Sequence, residues 1–311
     1  MPVCKKRIPQ PVRRVFTCGM QIRPLTPHIG AVMTGIDACR PLTAAEVQAV
    51  EAGMDEHAVL VLPSQDLTDE QQLAFTRNFG PLEEGANSTV RTGELRLAPT
   101  FADVSNLDKS GAKLARDNKR RMAALGNRLW HSDASFRAVP ARYSLLSGRI
   151  VTTDAGNTEF ADMRAAYDAL DAATRAEVEE LVCEHSLIHS RQRLGFTEFL
   201  PDERVSMKPV LQRLVRTHPV TGRKSLYLSA HIGAIVGWPR PEAMAFIRDL
   251  MEHATQAAFV YVHRWTKHDL VIWDNRTTMH RVRRFDDLNI VRDMRRTTTR
   301  SDGPTVAQPA A

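Results

Sequence analysis

One His-x-Asp occurs in the chain, at His131-Ser132-Asp133. On a β-strand, side chains two residues apart point to the same face. Such a pair could aim an imidazole nitrogen and a carboxylate oxygen at a common point. Two His and one carboxylate on one side of a metal form a facial triad, which leaves half of an octahedron open. With 11 His and 36 acids in 311 residues, about one His-x-acid is expected by chance, so the pair needs a third ligand to carry meaning.

The candidate third ligand is His280, in DLVIWDNRTTMHRVRRF (269–285): an apolar strand, a polar turn, then the imidazole. Its distance along the chain lets the second half of a barrel return to the first. Arg292, Arg295 and Arg296 follow shortly after. Three ligands on one face leave three positions, two for a 2-oxo acid and one for O2. The far carboxylate of that acid then needs a fixed cation. Arg suits it, because its planar fork meets a carboxylate with two parallel hydrogen bonds. Two other chemistries fit part of the pattern. Two His, one Asp and a water also suit a zinc hydrolase, which needs no Arg pair. A catalytically silent barrel binding anions or nucleic acid would need only the basic runs.

The elements that must position these residues read as short strands with inserted helices. Thr43 caps a helix over 43–57, AVLVLP (58–63) is a buried strand, and Thr68 caps a helix over 68–79 that stops at Gly80-Pro81. Residues 83–127 carry little periodicity and read as a functional or disordered loop. A strand follows at 143–151, two helices over 161–183 divided near Asp171, and a helix at 241–254. Further strands are expected at 225–229, 258–265, 269–274 and 294–299. No βαβ alternation occurs. The pattern predicts a mainly β protein with inserted helices and a double-stranded β-helix (jelly-roll, cupin-like) core. Residues 1–20 read as a flexible basic arm, 21–300 as one domain and 301–311 as a disordered tail.

Bulk properties narrow the class. Charged residues are 25% and hydrophobic ones 43%, ordinary for a globular protein. No apolar run reaches the length of a membrane span. The basic N-terminus lacks the apolar stretch of a secretory signal. Cys4, Cys18, Cys39 and Cys183 are scattered without CxxC spacing, so free thiols in the cytoplasm are expected. The net charge of +6 resides in residues 1–36, which hold six basic residues and no acid, and a second basic run spans Arg281 to Arg300. No nucleic-acid-binding signature accompanies either run, so the expected partner is a small anionic molecule. If the chain self-associates, a symmetric dimer is the default.

Six stretches resemble the taurine / 2,4-dichlorophenoxyacetate dioxygenase family: NFGPLEEG (78–85), LWHSDASF (129–136), NTEFADMRAAYDAL (157–170), LVRTHPVTGRKSLYLSAH (214–231), FVYVHRWTKHDLVIWDNRTTMHR (259–281) and RDMRRTTT (292–299). The resemblance covers about residues 20–300. It is closer to the dichlorophenoxyacetate branch, notably in EFADMRAAYDAL and HRVRRFD. It implies an Fe(II)- and 2-oxoglutarate-dependent dioxygenase using O2. His131, Asp133 and His280 fall on the iron ligands. Thr158 and Arg292 fall on residues that bind 2-oxoglutarate, and Arg296 on the Arg that holds the anionic head of the primary substrate. Asn127 matches a pocket Asn of the taurine branch, and His231 is a further pocket candidate. Asn87 or Ser88 stands where the phenoxyacetate branch carries a Lys. The implied reaction hydroxylates a small anionic substrate while 2-oxoglutarate becomes succinate and CO2. On an aryloxyacetate the product falls apart to a phenol and glyoxylate. An alkylsulfonate or another small carboxylate is the alternative substrate.

Overall fold

The computed structural model describes residues 14–15 by their backbone, and 19–83, 95–152 and 154–307 in full. The strands in chain order are β1 (Arg14–Val15), β2 (Gln21–Pro24), β3 (Ala31–Thr34), β4 (Val59–Leu62), β5 (Ala102–Asp103), β6 (Ala141–Ile150), β7 (Thr158–Asp162), β8 (Val182–His185), β9 (Val210–Arg213), β10 (Val215–Thr217), β11 (Lys224–Leu226), β12 (Ile232–Ile235), β13 (Val260–His263), β14 (Leu270–Asp274), β15 (Thr278–Val282) and β16 (Asp293–Arg300). The helices are α1 (Ala44–His57), α2 (Asp69–Arg77), α3 (Lys119–Ala124), α4 (Met163–Asp168), α5 (Ala172–Glu179), α6 (Leu187–Gln192), α7 (Pro201–Ser206) and α8 (Arg240–Ala254).

Two sheets make the jelly-roll. The major sheet runs β1-β2-β3-β4-β14-β6-β16-β5, and the minor one β13-β7-β15. They face each other without closing into one continuous hydrogen-bonded barrel. The central strands of the major sheet are buried on both faces, so their sequences are apolar throughout rather than alternating. Leu60 and Leu62 of β4, Leu145 of β6, and Leu270 and Ile272 of β14 pack toward α1 and α2. Their neighbours Val59, Val61, Leu146, Val271 and Trp273 point the other way, to meet Phe160 of the minor sheet. A third apolar cluster joins α4 and α8 to β12.

The two long N-terminal helices start where their capping chemistry places them. Thr43 accepts from the Glu46 N–H while the Glu46 carboxylate accepts from the Thr43 N–H. Thr68 and Gln71 do the same for α2. Each such box satisfies two backbone donors that have no partner within the helix.

Several expectations need correction. Residues 161–162 and 182–183 are strand rather than helix, because β7 pairs with both β13 and β15 and β8 pairs with β9 and β12. These non-local ladders outweigh local helical spacing. Of the 225–229 strand only Ser225 and Leu226 form ladder pairs, in a strand that begins at Lys224. The 83–127 loop contains β5 and α3. Of the expected arm, Arg14–Val15 pairs with β2; residues 1–13 and 16–18, with Cys4 and Cys18, lie outside the described residues, as do Asn87 and Ser88. The expected tail is ordered through residue 307. Buried Thr305 donates to Gln212 Oε1 (2.6 Å) and accepts from the Arg213 N–H (3.0 Å), and 308–311 lie outside the described residues. Cys39 and Cys183 are free thiols. No helix is long and apolar enough to cross a membrane among the described residues.

Candidate metal centre

His280 lies mid-way along β15, paired in register with Phe160 of β7. Because strand side chains alternate, His280 shares its face of the minor sheet with Thr158, Phe160 and Val282. Opposite, the inner face of the major sheet presents Ser144 and Leu146 of β6, Trp273 of β14 and Arg296 of β16. The site is the gap between these two faces.

His131 reaches it by an isolated antiparallel bridge to His280. Its N–H donates to the His280 carbonyl (3.0 Å), and the His280 N–H donates back (2.8 Å). The two imidazoles are brought together with ring centres 4.3 Å apart. Asp133 does not continue a strand: it sits in a turn directly after the bridge. The expected strand alternation therefore is not what turns the carboxylate inward. Side-chain hydrogen bonds do it. The Asp133 N–H donates to Asn275 Oδ1 (3.0 Å), the Ser144 hydroxyl donates to Asp133 Oδ2 (2.7 Å), and Asn275 Nδ2 donates to Ser144 Oγ (2.9 Å). Trp273 Nε1 in turn fixes Asn275 Oδ1 (3.1 Å).

One donor atom from each of His131, Asp133 and His280 lies within 4.8 Å of the others. His131 Nε2 is 3.8 Å and His280 Nε2 3.7 Å from the Asp133 oxygens. The His131 Nδ1–H donates to the Leu129 carbonyl (2.7 Å), which leaves the Nε2 lone pair directed at the shared point. Burial lowers the pKa of both imidazoles, that of His280 well below its ordinary value. Burial alone would raise the Asp133 carboxyl, but Arg296, His280, His131 and the Ser144 hydroxyl outweigh it and hold it at about 2. The site thus offers two neutral nitrogens and one anionic oxygen at neutral pH. Those are the protonation states a divalent ion requires.

Two cavities meet at this face. The inner one is lined by Asn127, His131, Thr158, His280, Arg292 and Arg296. Arg292 is buried, donates to the Gly156 carbonyl (3.3 Å) and stacks on Phe285. Burial pushes its pKa down to about 10, with no carboxylate among the described residues opposing the shift. It stays charged at neutral pH, and a buried unneutralised cation calls for an anion. Thr158 Oγ1 accepts from Trp265 Nε1 (2.9 Å), which leaves its own hydrogen free to donate. The outer chamber is lined by Asn127, His131, Asp133, His231 and Arg296, together with Phe136, Leu187 and Arg191.

All eight residues singled out from the sequence therefore line one cavity or the other. The Arg296 guanidinium donates to Asp133 Oδ1. Asn275, Ser144 and Arg191 were not foreseen. Asn275 lies inside WDNR, and only its place after an apolar strand could have marked it.

Residues 21–298 match the family described as "Taurine catabolism dioxygenase TauD, TfdA family". The chain belongs to that family. It is 45% identical to the alpha-ketoglutarate-dependent 2,4-dichlorophenoxyacetate dioxygenase of Cupriavidus pinatubonensis, over 90% of this chain and 97% of that protein. It is 38% identical to the (S)-phenoxypropionate/alpha-ketoglutarate-dioxygenase of Sphingobium herbicidovorans, over 85% of this chain and 90% of that one. Among solved structures it is similar to AAD-2 in complex with Mn(II) and N-oxalylglycine. That likeness has a TM-score of 0.89 and 56% identity, covering 92% of this chain and 99% of the other. The chain is an Fe(II)- and 2-oxoglutarate-dependent dioxygenase with a small-molecule substrate.

Proposed function

We propose that His131, Asp133 and His280 hold Fe(II), that Arg292 and Thr158 hold the distal carboxylate of 2-oxoglutarate, and that the primary substrate is an aryloxyacetate-type acid. The convergence of His131 Nε2, His280 Nε2 and the Asp133 carboxylate carries this reading. When bound, the ion would supply the activation of O2 that couples decarboxylation of 2-oxoglutarate to hydroxylation of a substrate C–H bond.

The chain's own residues bind, orient and exclude. Arg292 and Thr158 set how far into the inner cavity the co-substrate reaches, so its 2-oxo end meets the metal face. Trp273 and Phe160 pack against the His280 ring, at 4.7 and 6.1 Å between ring centres, and keep water from the far side of that ligand. Phe136 and Leu187 give the outer chamber an apolar wall for an aryl group. Hydroxylation of the carbon beside the ether oxygen yields a hemiacetal. The bond between its hydroxylated carbon and the aryloxy oxygen breaks as the hydroxyl proton passes to that oxygen. An aryloxyacetate, 2-oxoglutarate and O2 thus give a phenol, glyoxylate, succinate and CO2. Similarity to proteins named for 2,4-dichlorophenoxyacetate and phenoxypropionate supports this substrate class.

The test has two stages. Anaerobic Fe(II) with 2-oxoglutarate should produce a visible absorption band that an aryloxyacetate perturbs. Admitting O2 should then release phenol and succinate in equal amounts. Perturbation and turnover by alkylsulfonates alone would move the enzyme to that substrate class. We also place the enzyme in the cytoplasm, as its free thiols suggest. A dimer remains the simplest assembly, to be read by light scattering.

A further inference from the structure

The turn that carries Asp133 is also a wall of the outer chamber: Ala134, Phe136 and Arg137 line it beside the ligand. Ala134 stands in the left-handed region, at a φ of 53°, which an L side chain adopts only at a cost. The Arg137 N–H donates to the Ala134 carbonyl (2.9 Å) across the turn. A strained backbone of this kind persists only where its surroundings fix it from several sides. At the Asp133 end the jelly-roll does so, through Asn275 and Ser144. The far end is held by a different part of the fold.

Gln212 of β9 is fully buried. Its Nε2 donates to the carbonyls of Ser135 (2.9 Å) and Arg137 (2.7 Å), which uses both amide hydrogens. Its Oε1 accepts from the hydroxyl of Thr305 (2.6 Å), and the Thr305 oxygen accepts from the Arg213 N–H (3.0 Å). Thr305 therefore sets which way the amide points. Its single hydroxyl hydrogen needs an acceptor, so Oε1 faces the C-terminal segment and Nε2 faces the turn. Ser135 Oγ also meets His185 Nδ1 (3.0 Å), at the end of β8 in the same three-stranded sheet as β9. Phe136 lies between the two held carbonyls and packs its ring on His231, with ring centres 4.9 Å apart. Neither Gln212 nor Thr305 lines the chamber itself.

We infer that Gln212 and Thr305 are positioning residues for the primary substrate: through one buried amide, the C-terminal segment sets where Ala134 and Phe136 stand in the outer chamber. This rests on the reading that the outer chamber receives the primary substrate. A buried polar network with every donor and acceptor used has one arrangement, and it passes that arrangement to the backbone it holds. The clamp acts on one reactant only. The inner cavity takes no residue from the 133–137 turn, and the Asp133 carboxylate is aimed by Ser144.

The experiment uses the Fe(II)/2-oxoglutarate enzyme under anaerobic conditions and takes two readings. Hydrogen exchange followed by mass spectrometry reports on the peptide spanning 133–138, and titration of 2,4-dichlorophenoxyacetate against the visible band reports on the chamber. Gln212→Met removes the whole clamp. Thr305→Val is the milder change, leaving Oε1 without its donor, and it decides alone if Gln212→Met does not fold. Either variant should speed exchange in 133–138 while β6 and β14 exchange as before. Substrate binding should weaken roughly 3–10-fold, the worth of a net hydrogen bond, with 2-oxoglutarate binding unchanged. Thr305→Ser keeps the hydroxyl and should recover most of what Thr305→Val loses. Unchanged exchange in the 133–138 peptide of Thr305→Val overturns the assignment. So does faster exchange there with substrate binding unaltered, a parallel weakening of 2-oxoglutarate, or no recovery in Thr305→Ser. If the wild type ignores aryloxy acids but binds an alkylsulfonate, the substrate reading fails separately, and the same variants titrated with the sulfonate decide the clamp. A wild type that binds neither overturns both.

Discussion

Asp133 and Asp274 are both buried, both ionised and both paired with an Arg, yet one belongs to a site and the other to the scaffold. Asp274 ends β14, where every direction around its carboxylate is answered. Arg276 donates from its backbone N–H (2.8 Å), from Nε (2.9 Å) and from Nη2 (2.7 Å). His218 Nε2 donates from the fourth side (3.3 Å); its Nδ1 accepts from the Thr221 N–H (3.2 Å), so Nε2 carries the proton. Burial raises the Asp274 carboxyl, but Arg276 and His218 drive it far below the ordinary range. Asp133 receives one guanidinium donor and one hydroxyl, and its remaining lone pairs face two imidazole nitrogens that are themselves lone-pair acceptors. Three acceptors that face one another with no donor between them are unfavourable unless a cation joins them. The incomplete shell distinguishes the site from the saturated one.

The largest expected effect breaks the incomplete shell. Asp133→Ala, His131→Ala or His280→Ala removes one of three ligands and should reduce Fe(II)-dependent turnover on the order of 10³-fold or more. Because the three ligand atoms do not hydrogen-bond one another in the apo site, the apo fold should change in Tm far less than with Asp274→Ala. A collapse of the apo fold in all three variants would erase the distinction between the two aspartates. Asp274→Ala should do the reverse. It leaves the Arg276 charge buried and unanswered, which costs about 3–5 kcal/mol. Thermal unfolding of the apo protein reads this directly, and a wild-type Tm would show that the saturated shell contributes nothing.

How much of this contrast could be read from the chain depends on whether the signal is local. The His131–Asp133 pair, the Thr43 and Thr68 caps and the buried runs of β4 and β14 are visible because each is a residue type at a fixed short spacing, and His280 is marked by the apolar strand before it and the Arg residues after it. Asp133 shows the limit. The spacing from His131 is right, but the carboxylate is aimed by Ser144 and Asn275, which are distant in sequence and brought in by the major sheet. Arg191 is invisible for the same reason. Nothing in HSRQRLGF tells a chamber arginine from a surface one until Gly126 and Ser190 close around it. The two helices expected over 161–183 gave way at their outer ends to ladders whose partners lie far along the chain. Thr305 was unreadable as a buried residue because Gln212, which holds it, is equally distant.

Two intermediate effects sharpen the comparison. Asn275→Ala removes the acceptor of the Asp133 N–H and the donor to Ser144, both one step behind the ligand. Such partners typically change metal affinity or activity 10–100-fold, so Fe(II) affinity measured against a chelator should fall by that range while folding persists. Arg292→Met removes the buried cation of the inner cavity. The KM for 2-oxoglutarate should rise roughly 10–100-fold, as expected for a lost charge-assisted hydrogen bond, with the primary-substrate KM unchanged. The opposite split would exchange the roles of the two cavities.

The smallest effect concerns a carboxylate with a complete shell far from the site. Glu46 accepts from exposed Arg40 and from the Thr43 N–H (2.8 Å) and hydroxyl (2.9 Å), closing the capping box of α1. The Arg40 hydrogen bond, followed by the Thr43 N–H, lowers its pKa from 4.5 to about 2. The sign follows from the direction. A carboxyl depressed in the folded state adds stability that is present above its ordinary value and lost as pH falls from about 4.5 to about 2. Glu46→Gln should therefore flatten the acid limb of a urea-unfolding series between those values and leave the limb above pH 5 parallel to wild type. Thr43→Ala removes the reciprocal half of the box and should cost about 1 kcal/mol. If Glu46→Gln left the acid limb as steep as before, the completed shell around Glu46 would add nothing to stability, and completeness alone would not mark a scaffold carboxylate.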